Sequence, residues 1–135
     1  MDTDERPKVG IAVIIIKGQK VLLGKRKGNL GKDTWGFAGG HLEFKESWED
    51  CSIRETKEEA GITIKNVRFA AVRNTIFSIE NKHYVTVFMS ADYESGEPTV
   101  LEPDKFECWG WFDWDHLPEP LFPTIYSLLE TGFRP

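Results

Sequence analysis

Glu55, Glu58 and Glu59 are the residues of this chain whose type and spacing most directly suggest chemistry. Read as part of a helix, at about 100° per residue, they share one arc of roughly a quarter to a third of the circumference. Three carboxylates that close repel one another and weaken the helix. They also fall near its C-terminal end, where the helix dipole disfavours anions. A sequence chosen for stability alone would not place them there. A divalent cation is the natural compensation, and hard oxygen ligands favour Mg²⁺, with Mn²⁺ as a substitute, over softer metals. Glu55 and Glu59, four residues apart, can reach one ion from successive turns. Glu58 can bind a second ion or take a proton from an attacking water.

Neighbouring residues extend the pattern. Gly39-Gly40 lets backbone approach closely and can offer an amide or carbonyl to a metal or a phosphate. Glu43, in the loop that follows, could add a carboxylate, and Glu46 closes that loop ahead of the helix. Arg54 reads as an orienting partner for neighbouring carboxylates rather than as a substrate clamp. Lys25-Arg26-Lys27 is either a solvated surface turn or an anion site. Trp109, Trp111 and Trp114 could stack on a base, although filling a core is the commoner use of such residues. His41, His83 and His116 show no mutual metal spacing and read as structural, with His41 alone inside the acidic segment. Cys51 and Cys108 form neither a metal spacing nor a disulfide framework. They read as free packing thiols in a reducing cytoplasm.

Residues 40 to 62 as a whole resemble the Nudix box, the signature of hydrolases that cut diphosphates linked to another group. Gly40, Glu46, Arg54, Glu55, Glu58, Glu59, Gly61 and Ile62 all fall in register with it. Thr56 stands where an aliphatic residue is most usual. Agreement at this many fixed positions is far more specific than a lone glycine-rich turn. The resemblance implies an α/β/α sandwich with a mixed sheet flanked by helices. It makes Glu55, Glu58 and Glu59 the metal-binding carboxylates, beside Gly40, and either Glu55 or Glu58 the catalytic base. It places Arg26 against a polyphosphate tail and gives Glu107 the part of an outlying metal ligand or base.

The likeness continues outside the box. Leu22 to Gly28, Gly39 to Phe44, His83 to Thr86, Trp109 to Trp114 and Leu117 to Phe122 are similar to the small MutT-like nucleotide diphosphatases of plants and animals. It covers nearly the whole chain. It implies hydrolysis of nucleoside triphosphates, oxidised or otherwise modified ones included, to the monophosphate and pyrophosphate. The nucleobase would lie near Gly36, Phe37, Thr86 and Ile125, and a homodimer is the expected assembly. Three departures bear on base specificity: Ala38 replaces a proline, Lys45 replaces a common glycine, and Gly36 lacks an amide side chain. ADP-ribose, NADH-type and coenzyme A-type branches fit less well. Two rival readings are a non-nucleotide diphosphate, such as an isoprenoid diphosphate, and a ligand-binding module without turnover. The second would be marked by loss of a box glutamate, and none is lost.

The elements that must position these residues can be read locally. Ile11 to Lys17 is an apolar, β-branched run suited to a buried strand. Gly18-Gln19 turns it into Val21 to Gly24, and Arg26 to Asp33 reads as a loop. Ser47 is a good N-cap, with Asp50 three residues on, and Gly61 suits the C-terminal stop of a helix ending near Ala60. Ile53, Thr56 and Ala60 form its packing stripe, apart from the acidic arc. Val67 to Ile76, His83 to Ala91 and Cys108 to Phe112 read as strands, and Pro123 to Gly132 as a short final helix.

The whole composition is compatible. At 135 residues, 40% hydrophobic and 29% charged, the chain reads as a single domain with its own core. A net charge of −5 argues against a dedicated surface for a nucleic-acid polymer. The longest apolar run is too short to span a bilayer. Met1 to Arg6 lacks the pattern of a signal peptide, so a cytoplasmic location is expected.

Overall fold

The computed structural model describes residues 5–135, so most of the Met1 to Arg6 segment lies outside the described residues. Among them, seven strands form one sheet: β1 (Lys8–Lys17), β2 (Lys20–Arg26), β3 (Trp35–Gly36), β4 (Ala38–His41), β5 (Thr63–Phe77), β6 (Lys82–Ser95) and β7 (Phe106–Asp113). The order is β3-β2-β1-β6-β5, with β4 also paired to β1 and β7 to β2. β1 runs parallel to β6, and the remaining pairs are antiparallel, so the sheet is mixed.

β1 is central, and this accounts for its unbroken apolar run. Successive side chains of a strand point to opposite faces. Val13 and Ile15 join Cys51 and Ala60 of α1 (Trp48–Ala60), while Ile14 joins Ile125 and Leu128 of α2 (Pro123–Leu129). Both faces are covered, giving the α/β/α sandwich that the sequence implied. No helix among the described residues is long and apolar enough to cross a membrane.

α1 begins and ends as its caps dictate. Ser47 Oγ accepts the Asp50 N–H at 3.0 Å, and Gly61 adopts φ 71° while its N–H donates to the Lys57 carbonyl. Of the expected packing stripe, Thr56 and Ala60 are buried, and Ile53 is the correction. Ile53 is 46% exposed, and the buried face consists of Cys51, Ser52, Glu55, Thr56, Glu59 and Ala60. β4 offers the arc of Glu55 and Glu59 a glycine pair rather than a layer of large side chains. The helix therefore buries two of its own carboxylates.

Several bounds also differ. β5 and β6 extend well beyond the alternating segments expected for them. Register shifts between Lys65 and Arg68 and between Phe69 and Ala71 interrupt the period-two pattern by which strands are recognised. Arg26 ends β2 instead of opening a loop, α2 stops at Leu129, and a 3₁₀ turn at Trp114–His116 was not anticipated. Trp109 and Trp111 pack against the α1-side core, and Trp114 is buried in the α2-side core.

Candidate active site

The glycine pair of β4 is where backbone and carboxylates meet. Gly39 and Gly40 pair with Ala12 and Ile11 of β1. A Cβ on Gly39 would run into the Ile11 carbonyl oxygen, and one on Gly40 into the Glu55 carboxylate. Only glycine allows this approach. The Gly39 N–H donates to Glu59 Oε1 at 2.9 Å. Burial pushes the Glu59 carboxyl up to about 8, against the Gly39 hydrogen bond and with the help of the Glu55 and Glu102 charges. Burial likewise raises Glu55, opposed by Arg54.

Arg54 organises the remaining acids. Its Nε and Nη2 donate to Glu46 Oε2 and Oε1 at 2.7 and 2.9 Å, a two-pronged pairing that suits the planar guanidinium. Its Nη1 donates to Glu55 Oε2 at 3.0 Å and to Glu58 Oε1 at 3.3 Å. The Arg54 hydrogen bond holds the Glu46 carboxyl down at about 2. Glu43 lies 3.9 Å from the same guanidinium, and its own N–H donates to Glu46 Oε1. Cys51 is buried beneath, its thiol pushed up to about 12 by burial, which suits packing rather than nucleophilic work.

Among the described residues, no three acidic, histidine or cysteine side chains converge as a metal cage. Glu55 and Glu58 instead share one Arg54 nitrogen. The donor chemistry still suits a hard cation. Glu55 and Glu59 are buried carboxylates, and among the described residues no ion pair contacts Glu59. A buried carboxylate without a cation in contact carries the desolvation cost that a bound divalent ion would offset.

These groups open onto a cavity of about 480 Å³, within the usual range for small-molecule sites. Its wall carries Gly39, Gly40, Glu55 and Glu59 together with aromatic and apolar side chains. Arg26 is also on the wall, its Nε donating to the Leu30 carbonyl at 3.2 Å and its guanidinium carbon 4.1 Å from the Phe122 ring centroid. Phe37, Thr86 and Ile125 line the cavity, whereas Gly36 sits against the Arg26 side chain and does not. Lys25 and Lys27 do not line the cavity either. Glu107 is exposed and faces away from it; β-strand alternation brings Phe106 to the wall in its place.

Sequence reasoning missed Phe77, Tyr84, Lys105 and Phe122, all of which line the cavity. Tyr84 had a usable signal, since it precedes Thr86 by two residues on one strand and so shares its face. Its hydroxyl lies 3.1 Å from His41 Nε2. Phe122 had none. It is carried in by the ladder in which the Trp35 N–H donates to the Pro120 carbonyl and the Phe122 N–H to the Trp35 carbonyl.

Helix, glycine pair and cavity together define a diphosphate-hydrolase type of site. The NUDIX domain family profile matches residues 6–131, and the chain belongs to the Nudix hydrolase family. A crystal structure of a MutT NUDIX hydrolase from Burkholderia pseudomallei has the same fold, with a TM-score of 0.87 at 36% identity, covering 93% of this chain and 98% of that one. The NAD-capped RNA hydrolase NudC of Chromobacterium violaceum is 31% identical over 114 residues, 83% of this chain and 41% of that protein. NudC of Haemophilus influenzae is 35% identical over 117 residues, 84% of this chain and 42% of that protein. The chain thus spans about two-fifths of the length of these curated relatives. They are bacterial and lend no support to a particular likeness to plant and animal enzymes.

Proposed function

We propose that this chain hydrolyses nucleoside triphosphates, oxidised or otherwise modified ones included, to the monophosphate and pyrophosphate with Mg²⁺ or Mn²⁺. The observation that carries this reading is the burial of Glu55 and Glu59 against Gly39-Gly40, in a cavity whose wall also carries the aromatic rings of Phe37, Phe77, Tyr84 and Phe122. Such a cavity suits a polyphosphate joined to a flat base.

Glu55, Glu58, Glu59 and the Gly40 carbonyl would hold the metal, a set of hard oxygen donors. When bound, it supplies charge neutralisation at the phosphate oxygens and a lowered pKa for water. The protein does the rest by position. Arg54 fixes Glu55 and Glu58 through one nitrogen, so either can stand ready to accept the proton of an attacking water. Glu46, paired at two points, fixes Arg54. Arg26, held over the Phe122 ring, would meet the polyphosphate, while Phe37, Thr86 and Ile125 would receive the base beside Phe77 and Tyr84.

The curated relatives favour a second reading: cleavage of a dinucleotide diphosphate, free or at the end of an RNA. A Mg²⁺-containing panel of nucleoside triphosphates, oxidised nucleotides, NADH, ADP-ribose and an isoprenoid diphosphate, resolved by phosphorus NMR of the products, separates the two. Pyrophosphate plus a nucleoside monophosphate from a triphosphate is the expected outcome. Two monophosphates from NADH, with triphosphates untouched, would transfer the assignment to the second reading. Release of orthophosphate, or no turnover by folded, metal-loaded protein, would overturn both.

A further inference from the structure

A second cavity, of about 620 Å³, adjoins the first and shares Phe77 and Tyr84 with it. These two rings meet edge to face, 6.1 Å between centroids, and form the partition. Strand register explains what lies beyond them. In the parallel β1–β6 pair, Lys8 is opposite Tyr84 and Gly10 opposite Thr86; in the β5–β6 hairpin, Phe77 is opposite Lys82. Residues two apart on a strand share a face. Lys82 therefore extends the row of Tyr84 and Thr86, and Lys8 extends that of Gly10 and Ala12. The floor of the first cavity continues outward as a lysine-bearing strip.

Lys8 and Lys82 are exposed and line the second cavity with Arg6 and His83, against a single acidic residue, Glu5, in its described wall. Lys105 adds a cation on the wall of the first. Lys8, Lys82 and Lys105 all lie close enough to His41, at the junction, to act on its charge. In a chain of net charge −5, this run of cations is a local feature and not a reflection of overall composition. A mononucleotide can be accommodated in a cavity of the first one's size, which leaves the second in surplus.

We propose that the second cavity is a phosphate subsite, taking a phosphate group that the substrate carries beyond the diphosphate being cut. The ligand class is a nucleotide extended by a further phosphorylated nucleoside. A dinucleoside polyphosphate and the 5′ end of a diphosphate-capped oligoribonucleotide present the same chemistry. The inference rests on the first cavity being the active site, but not on which diphosphate is preferred there.

The test compares wild type with Lys8→Glu/Lys82→Glu, and with the milder Lys8→Gln/Lys82→Gln in case charge reversal disturbs folding. The kcat/KM is measured for a nucleoside triphosphate, a dinucleoside polyphosphate and a capped trinucleotide. In parallel, a fluorescently labelled 5′-phosphorylated trinucleotide is titrated by anisotropy at several salt concentrations. Both variants should lose on the order of 10-fold in kcat/KM on the extended substrates, while the triphosphate changes by less than about 2-fold. Wild type should bind the trinucleotide with a salt dependence that the variants lack. Loss on the capped trinucleotide alone identifies an oligonucleotide as the source, and loss on both identifies the shared phosphate. Equal losses on all three substrates, or none, would overturn the subsite. If no substrate turns over yet the trinucleotide binds wild type and not the variants, the subsite stands and the proposed reaction fails. If triphosphate turns over and the trinucleotide binds all forms equally, the reaction stands and the subsite fails.

Discussion

The Gly39 amide donates a 2.9 Å hydrogen bond to Glu59, a carboxyl only 4% exposed. Glutamine at this position keeps the side-chain size and an oxygen that can accept from Gly39, but loses the charge. Glu59→Gln should therefore fold normally and lose on the order of 10²-fold or more in Mg²⁺-dependent turnover. Circular dichroism and the steady-state rate, measured on the same preparation, test this. Wild-type activity in the folded variant would remove Glu59 from the metal site.

The same carboxyl should also set a pH dependence in the metal-free protein. Burial raises it from an ordinary value near 4.5 to about 8 in the folded state. Between those limits the folded protein holds a proton that the unfolded chain releases. Stability must therefore fall as pH rises across the window. In EDTA, the Tm of wild type should fall between pH 5 and pH 8 relative to that of Glu59→Gln. Adding Mg²⁺ at pH 8 should recover it for wild type only. Parallel pH profiles for the two proteins would contradict the assignment.

Glu46 titrates in the opposite sense. Its pairing with Arg54 holds it near 2, below its ordinary value of 4.5, so the stability it contributes is present above about pH 4.5 and is lost as pH falls towards 2. Glu46→Gln should lower Tm at pH 7 and flatten this acid limb. It should also reduce kcat more than it raises KM, because Arg54 would hold Glu55 and Glu58 less firmly. An unchanged acid limb would show that the pair contributes nothing.

Local signals made part of this architecture readable. Ser47 and Gly61 delimit α1 by capping chemistry that needs no tertiary context, and Ile11 to Ile16 declares a strand buried on both faces. The facing of α1 was readable only in part: Thr56 and Ala60 are buried as expected, but Ile53 is exposed, because packing against Gly39-Gly40 turns the arc of Glu55 and Glu59 inward. Phe77, Tyr84 and Phe122 come from three separate elements, joined by β5–β6 pairing and by the bridge between Trp35 and Leu121. No spacing within one segment could have revealed them.

Lys45 shows a departure whose physical meaning needed the backbone. It adopts φ 68°, in the left-handed region that favours glycine, which explains why a glycine is usual there. Lys45→Gly should stabilise the protein by about 1 kcal/mol, less whatever the unfolded chain gains in freedom. Urea denaturation checks this as a raised midpoint with an unchanged m-value. A lowered midpoint would mean that the Lys45 side chain outweighs the backbone strain.

The two neighbouring glycines should fail in different ways when substituted. The methyl of Gly39→Ala meets the Ile11 carbonyl oxygen, part of the central strand, and β1 cannot move without disturbing both cores. That variant should lose about 3 kcal/mol or more of stability. The methyl of Gly40→Ala meets the Glu55 carboxylate first, the far end of a side chain that can swing aside. It should keep most of its stability while turnover falls on the order of 10²-fold. Shortening the acid by one methylene in Gly40→Ala/Glu55→Asp should relieve the collision and recover part of the Mg²⁺ affinity, read by calorimetric titration. If both alanine variants lose stability equally, Gly40 serves the strand and not the approach of Glu55 to a metal.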